Sequence, residues 1–297
     1  MQYFGAIEAG GTKFVCAIGN EKGKILKKIV IPTKHPKETI CQVIDFFEES
    51  RSLSAIGIAC FGPIDVNQKS KNYGKITTTP KIEWKNYNIV KTFKNHFKLP
   101  IGFDTDVNGA ALGEHSFGAA KNLDTFIYIT VGTGIGVGGM VSSRLIHGLI
   151  HPEMGHIFIP KSKNDKFKGI CPYHKDKCLE GLASGPAMHK RWKTKSLHLL
   201  NEKHIAWEME SNYLALAIAN WIMCISPQLV IIGGGVMSHE NLLPKIRKKI
   251  QIHLNGYLNH PYIVSEKIND YIVKPFLKEN SGIMGAISLA KLALKEK

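Results

Sequence analysis

The chain has 297 residues, 44% of them hydrophobic and 21% charged, which excludes a disordered or fibrous protein and leaves room for one large domain or two modest ones. Its 39 Lys and Arg against 24 Asp and Glu give a formal +15, a balance that favours anionic ligands such as nucleotides and says nothing about fold. Six cysteines in so long a chain exclude a disulfide framework.

The N-terminal sequence lacks a basic leader and enters alternating apolar residues at once, so neither a signal nor a transit peptide is expected, and the expected location is cytoplasmic. Tyr3 to Glu8, Phe14 to Ile18 and Ile25 to Ile31 read as strands, joined by turns at Gly10-Gly11 and Lys22-Gly23. Ile40, Val43, Ile44 and Phe47 recur at helical spacing and predict a helix over Pro36 to Arg51. A buried strand at Ala55 to Cys60, a helix at Asn88 to Phe97, a strand at Ile101 to Asp104 and a helix at Val107 to Phe117 follow. The pattern then restarts. Phe126 to Val131 and Val137 to Leu145 read as strands around Gly132-Thr133-Gly134-Ile135-Gly136, and a long irregular stretch runs from His151 to Cys178. Beyond it come a helix ending near Ser226, a strand at Leu229 to Ile232, a helix after Gly235 and a last helix at Ile283 to Leu294. The most apolar run, Leu214 to Ile225, falls short of the about 20 residues a bilayer span needs and reads as a core helix.

Residues 7–12 and 129–134 repeat one device, a strand leading into a glycine turn and a second strand. The repeat predicts two α/β halves around a shared cleft, with a boundary near Gly118: a small unit over 1–117, completed by the helix at 283–297, and a large unit over 118–282. Lysines are scattered rather than gathered into an arm with interleaved aromatics, so no nucleic-acid partner is expected, nor any membrane.

Gly10-Gly11-Thr12-Lys13 follows a strand and serves equally as a phosphate cradle or a plain hairpin turn; the P-loop spacing is absent. Residues 134–139 fit the GxGxxG pattern, but the chain continues as a strand and lacks the acidic residue about 20 positions on, so a dinucleotide site is rejected. Gly233-Gly234-Gly235, between a strand and a helix, suits nucleotide contact or a tight turn alike. Asp104-Thr105-Asp106-Val107-Asn108 sits at a strand end, where open α/β sheets place ligands. Asp106 there is either a general base or a helix N-cap, and Asn108 can hold a hydroxyl. His156, Cys171, His174 and Cys178, spaced H-x14-C-x2-H-x3-C within the irregular segment 156–178, suit a closed, structural tetrahedral zinc site. Glu153 and Glu180 bracket that segment and can grip sugar hydroxyls.

Together these segments resemble the ROK family of repressors and sugar kinases, and within it the bacterial fructokinase branch. The resemblance is carried by Ile7-Glu8-Ala9-Gly10-Gly11-Thr12-Lys13-Phe14, Gly62-Pro63-Ile64-Asp65, residues 104–108 and 132–136, His151-Pro152-Glu153-Met154-Gly155-His156 and the run from Cys171 to Pro186. It implies an actin-like, ribonuclease-H-like two-domain sugar kinase fold with an inserted zinc knot, and phosphorylation of fructose at O6 by ATP with Mg²⁺. By position, Asp106 would be the base and Asn108, Glu153, His156 and Glu180 would surround the sugar. Gly10, Gly11, Thr12, Lys13, Thr133 and Gly134 would face the phosphates, with Pro186 and Gly233 to Gly235 beside the adenosine. Glu8 stands where many members carry aspartate. Homodimers are common in the family. The alternatives are a kinase for glucose, mannose or another hexose and, in a different class, a non-catalytic sugar sensor or repressor. The phosphate hairpin begins by Gly10, so no helix-turn-helix module is expected ahead of it.

Overall fold

The computed structural model describes residues 2–49 and 52–295. Its first sheet holds β1 (Tyr3–Ala9), β2 (Lys13–Asn20), β3 (Ile25–Pro32), β4 (Ala55–Cys60) and β5 (Ile101–Thr105) in the order β3-β2-β1-β4-β5. The first three strands meander antiparallel, while β4 and β5 are parallel to β1. Parallel neighbours need crossovers, supplied by α1 (Pro36–Glu48) before β4 and α2 (Ile89–Phe97) before β5. The side chain of Asn88 caps α2 and that of His35 caps α1. The core over this sheet is aromatic: Phe14, Phe47, Trp84 and Phe93 are fully buried.

After α3 (Asp106–Phe117) the strand pattern recurs. Strands β6 (Phe126–Val131), β7 (Ile135–Val141), β8 (Arg144–Leu145), β9 (Val230–Gly233) and β10 (Ile272–Val273) lie in the order β8-β7-β6-β9-β10, with the same senses of pairing. The crossover from β8 to β9 carries α4 (Leu179–Ala183), α5 (Gly185–Trp192) and α6 (Ile205–Ile225). The apolar run at 214–225 lies inside α6; Leu214, Ala217, Ile218, Trp221 and Ile222 are buried among Ile127, Ile129 and Ile232 of the sheet and Leu243 and Ile246 of α7 (Leu242–Leu254), while Met223 and Cys224 at its end are exposed. No described helix is long and apolar enough to cross a membrane.

Two short helices, α8 (Pro261–Val264) and α9 (Ile268–Tyr271), lead through β10 to α10 (Ser281–Lys295). This last helix leaves its own half and packs on α3, β1, β4 and β5. It seats backbone to backbone: a Cβ on Gly57 would lie 1.8 Å from Ala286 O, and one on Gly285 would lie 1.7 Å from Gly109 O. Only glycine permits those contacts.

Several boundaries differ from the sequence reading. The strand expected over Val137 to Leu145 is two strands, because Ser142 and Ser143 take φ of 49° and 62° and turn the chain into a hairpin. The helix expected directly after Gly235 begins as a single 3-10 turn, Gly235–Ser238, before α7. Helix α1 ends at Glu48; Arg51, its expected end, lies outside the described residues.

Candidate active site

Strand β5 ends at Thr105, and α3 starts on Asp106. Thr105 is the N-cap, its Oγ1 accepting from Asn108 N at 3.1 Å. The capping role considered for Asp106 therefore belongs to its neighbour. The Asp106 carboxylate accepts from the adjacent Val107 N, at 2.9 Å, and the residue stays partly open to solvent. Surrounding protein desolvates it and pushes its pKa up to about 6.

Asn108 is placed differently from the expectation. It is 1% exposed; its Nδ2 donates to Asp104 Oδ1 at 2.9 Å and its Oδ1 accepts from Gly139 N at 3.1 Å. Its amide joins the end of β5 to β7 inside the protein. The reason is α-helical phase: Asn108 is the third residue of α3, and its side chain turns back toward β5 and β7 rather than outward beside Asp106.

The two glycine turns close as hairpins. In the first, Gly10 N donates to Lys13 O at 3.0 Å; in the second, Gly132 N donates to Gly134 O at 2.9 Å. Both leave side chains outside, with Thr12, Lys13 and Thr133 exposed. Gly185 N donates to Gly132 O at 2.8 Å, which docks the start of α5, with exposed Pro186, on the second hairpin. Gly234 takes φ of 97°, and a Cβ there would meet Val131 O at 2.4 Å; Gly235 has open space around it. Gly233 is buried, with Pro275 across from it, so of the three glycines only Gly234 and Gly235 face outward.

Glu8, at the end of β1, has a buried Oε2 with no hydrogen-bond partner. Burial, then the nearby Asp106, pushes its pKa to about 7 against the pull of Lys13 and Lys28. Gly282, at the start of α10, packs on this carboxylate.

The irregular segment gathers the four metal-ligand candidates. One ligand atom each from His156, Cys171, His174 and Cys178 lies within 4.8 Å of all the others. His156 Nδ1 is 3.7 Å from Cys171 Sγ and 3.6 Å from Cys178 Sγ, and His174 Nδ1 is 3.7 Å from Cys171 Sγ. A zinc tetrahedron with its usual bond lengths has S···N edges of about 3.6 Å. His174 N and Gly181 N donate to the Cys171 and Cys178 sulfurs, each at 3.4 Å, as backbone amides do around thiolates.

His156 then reaches the other way. Its Nε2 is 3.6 Å from Glu180 Oε1, while Glu180 Oε2 accepts from Ile135 N at 2.9 Å. One imidazole thus links the metal group to a carboxylate that holds the second glycine hairpin. Glu153 lies close enough to Glu180 and Asp106 to feel both; burial first, then those charges, raises its pKa to about 7. The structure therefore brings Asp106, Glu153, Glu180 and Glu8 into one electrostatic neighbourhood at the sheet ends.

The ROK family model matches residues 4–293. The chain belongs to the ROK family. A putative fructokinase of Bacillus subtilis is 50% identical over 291 residues, covering 98% of this chain and 96% of that protein. A fructokinase of Pediococcus pentosaceus is 44% identical over 291 residues, covering 98% of each. The ROK glucokinase of Streptomyces griseus, solved with glucose and AMPPNP, superposes with a TM-score of 0.75 at 24% identity over 98% of this chain and 99% of that one. The fold is thus that of the ROK sugar kinases, actin-like and ribonuclease-H-like.

Sequence reasoning missed three groups that shape this site in a ROK chain. Asp104 and His151 stood inside quoted motifs but carried no assigned role, and His147 lay outside every motif. A histidine four residues before another, in a glycine-bearing loop just ahead of Glu153, was the available signal.

Proposed function

We propose that this ROK protein is an ATP-dependent fructokinase, transferring the γ-phosphoryl group of ATP to O6 of fructose to give fructose 6-phosphate and ADP. The observation that carries the reading is the Asp106 carboxylate, free of capping duty at the open end of β5, in a chain matched nearly end to end by relatives named fructokinases. A base with a pKa of about 6 is ionised at neutral pH yet close enough to it to accept a proton well.

In the reaction Asp106 takes the O6 proton as O6 bonds to the γ-phosphorus and the bond to the bridging oxygen breaks, releasing ADP. Such transfer depends on alignment and charge stabilisation rather than covalent help. Glu153 and Glu180 hold the sugar hydroxyls, and His156 acts through Glu180 rather than on the sugar alone. Gly10, Gly11, Thr12, Lys13, Thr133 and Gly134 face the phosphates, while Pro186, Gly234 and Gly235 flank the adenosine. Gly233 supports that wall from within β9, and Asn108 is withdrawn from the sugar contacts. The unpartnered Glu8 Oε2 beside Lys13 suits the Mg²⁺ that accompanies ATP, whose charge offsets that of the phosphates. His156, Cys171, His174 and Cys178 hold zinc as a closed, structural site, which fixes Glu180 through His156.

A coupled ADP-release assay across fructose, glucose and mannose tests the reading. Fructose should give the highest kcat/KM, because discrimination rests on hydroxyl contacts built for one sugar. A higher kcat/KM for glucose would overturn the substrate while leaving the kinase.

A further inference from the structure

Between β8 and the 3-10 turn Met154–His156, residues 146–153 leave the second sheet and run against the end of the first. Packing does not hold the crest of this segment: Leu149 is 97% exposed and Ile150 60%. Two histidines do. His147 Nε2 lies 2.9 Å from Asp104 Oδ2 and 3.1 Å from Oδ1, and since a carboxylate only accepts, Nε2 carries the proton and donates. Asp104 is 2% exposed and also accepts from Thr105 N and Asn108 Nδ2, so it is fastened to the residues that start α3 and present Asp106. Four residues on, His151 is 3% exposed; its Nε2 accepts from Ile64 N at 3.0 Å, in the turn after β4. Its Nδ1 is then the protonated nitrogen, 3.4 Å from Pro152 O and 3.6 Å from Glu153 Oε1.

We propose that residues 146–153 form a strap pinned to the first sheet by His147 on Asp104 and His151 on Ile64, making His147 a positioning residue that holds Glu153 opposite Asp106 for the sugar. The proposal rests on the kinase reading above and adds a residue to it. The two pins use opposite faces of imidazole chemistry. His147 donates to a buried anion, which raises its pKa, whereas His151 accepts from an amide and burial holds it neutral. The groups facing His147 include Asp104, its partner, the Asn108 Nδ2 amide 3.3 Å from Nε2, and His151 within the same strap. Without the first pin the exposed crest keeps the His151 anchor at its far end and the Ile146 N to Gly139 O bond at its start, but the carboxylate that ends the strap loses its register with the base. Displacement of a substrate-holding group by about 1 Å is enough to cost up to about 10²-fold in turnover or apparent affinity.

The test is steady-state kinetics of His147→Ala and His147→Gln in the full chain, with fructose and ATP varied separately and melting temperature measured alongside. We expect His147→Ala to raise the fructose KM by about tenfold or more while the ATP KM stays within about twofold. His147→Gln, which keeps an N–H donor toward Asp104, should recover most of the loss. Asp104→Asn combined with His147→Ala should lose no more than the worse single variant, because each weakens the same His147 to Asp104 contact. Wild-type fructose kinetics in His147→Ala would overturn the proposal, as would equal losses for fructose and ATP, or additive losses in the double variant. A wild-type chain that phosphorylates another hexose instead shows that the substrate reading has failed, and the same comparison is then made with that hexose.

Discussion

The two halves of the molecule share one strand order and are loaded differently. In the first, β3 runs almost directly into its crossover helix α1, and the residues proposed for the chemistry, Glu8 and Asp106, sit at the strand ends. In the second, β8 is followed by residues 146–178 before any α-helix of the crossover, and that insertion carries Glu153 and the candidate metal ligands His156, Cys171, His174 and Cys178. The same scaffold point is a short turn in one half and a recognition module in the other. On the proposed reading, sheet topology sets where a base can stand, while the insertion, with its Cys and His group and two histidine pins, would supply the sugar contacts.

If that division of labour is right, a change at the strand end should strike turnover and a change at the metal-ligand group of the insertion should strike stability first. Asp106→Asn should lower kcat by about 10²–10⁴, since an amide has no useful basicity, while sugar binding persists. The variant should fold normally because Thr105, not Asp106, caps α3. Near-normal kcat would move the base elsewhere and dissolve the contrast.

In the insertion, one zinc per chain should co-purify, and Cys171→Ser should lose both the metal and thermal stability, because metal binding in such knots is coupled to folding. The rings beside the ligands give reason to expect this, since Phe158 and Tyr173 are 67% and 64% exposed and add little packing of their own. Elemental analysis showing a metal-free, fully active and equally stable protein would end the claim.

How much of this was legible in the sequence follows the same line. Strands β4 and β6 match their expected bounds residue for residue, because a nearly fully buried strand reads as a mostly apolar run with polar or glycine punctuation. The repeat of strand and glycine turn anticipated the doubled sheet, and the spacing of His156, Cys171, His174 and Cys178 anticipated their clustering. What stayed hidden depended on direction rather than position. Nothing in Asp104-Thr105-Asp106-Val107-Asn108 says which residue caps the helix, nor that Asn108 points inward to Gly139. The Ser142-Ser143 turn was hidden because two serines in left-handed conformations are an uncommon hairpin choice beside Asn-Gly. His147 and His151 acquire meaning only from partners 43 and 87 positions away.

The smallest expected effects concern pH, and they separate the base from a merely buried acid. Burial lifts Asp106 from 3.8 to about 6, and a base works only when unprotonated. Hence kcat/KM for fructose should begin to decline near pH 7, where Glu8 and Glu153 titrate, and fall at least tenfold per unit below about 6, where Asp106 is protonated as well. A flat profile down to pH 5 would contradict the assignment. Stability runs the opposite way. A carboxyl whose pKa is raised on folding binds its proton more tightly in the folded chain, so its favourable contribution is complete below 3.8 and is lost as pH rises through about 6. Asparagine at 106 cannot ionise and escapes that loss. The melting temperature of Asp106→Asn relative to wild type should therefore climb between about pH 4 and 6 and level off above it, by a modest amount because solvent reaches the carboxylate. A variant that is dead in turnover yet no less stable at pH 8 than the wild type is what a strand-end base demands; one that loses stability as pH rises would show that the charged carboxylate helps to hold the fold.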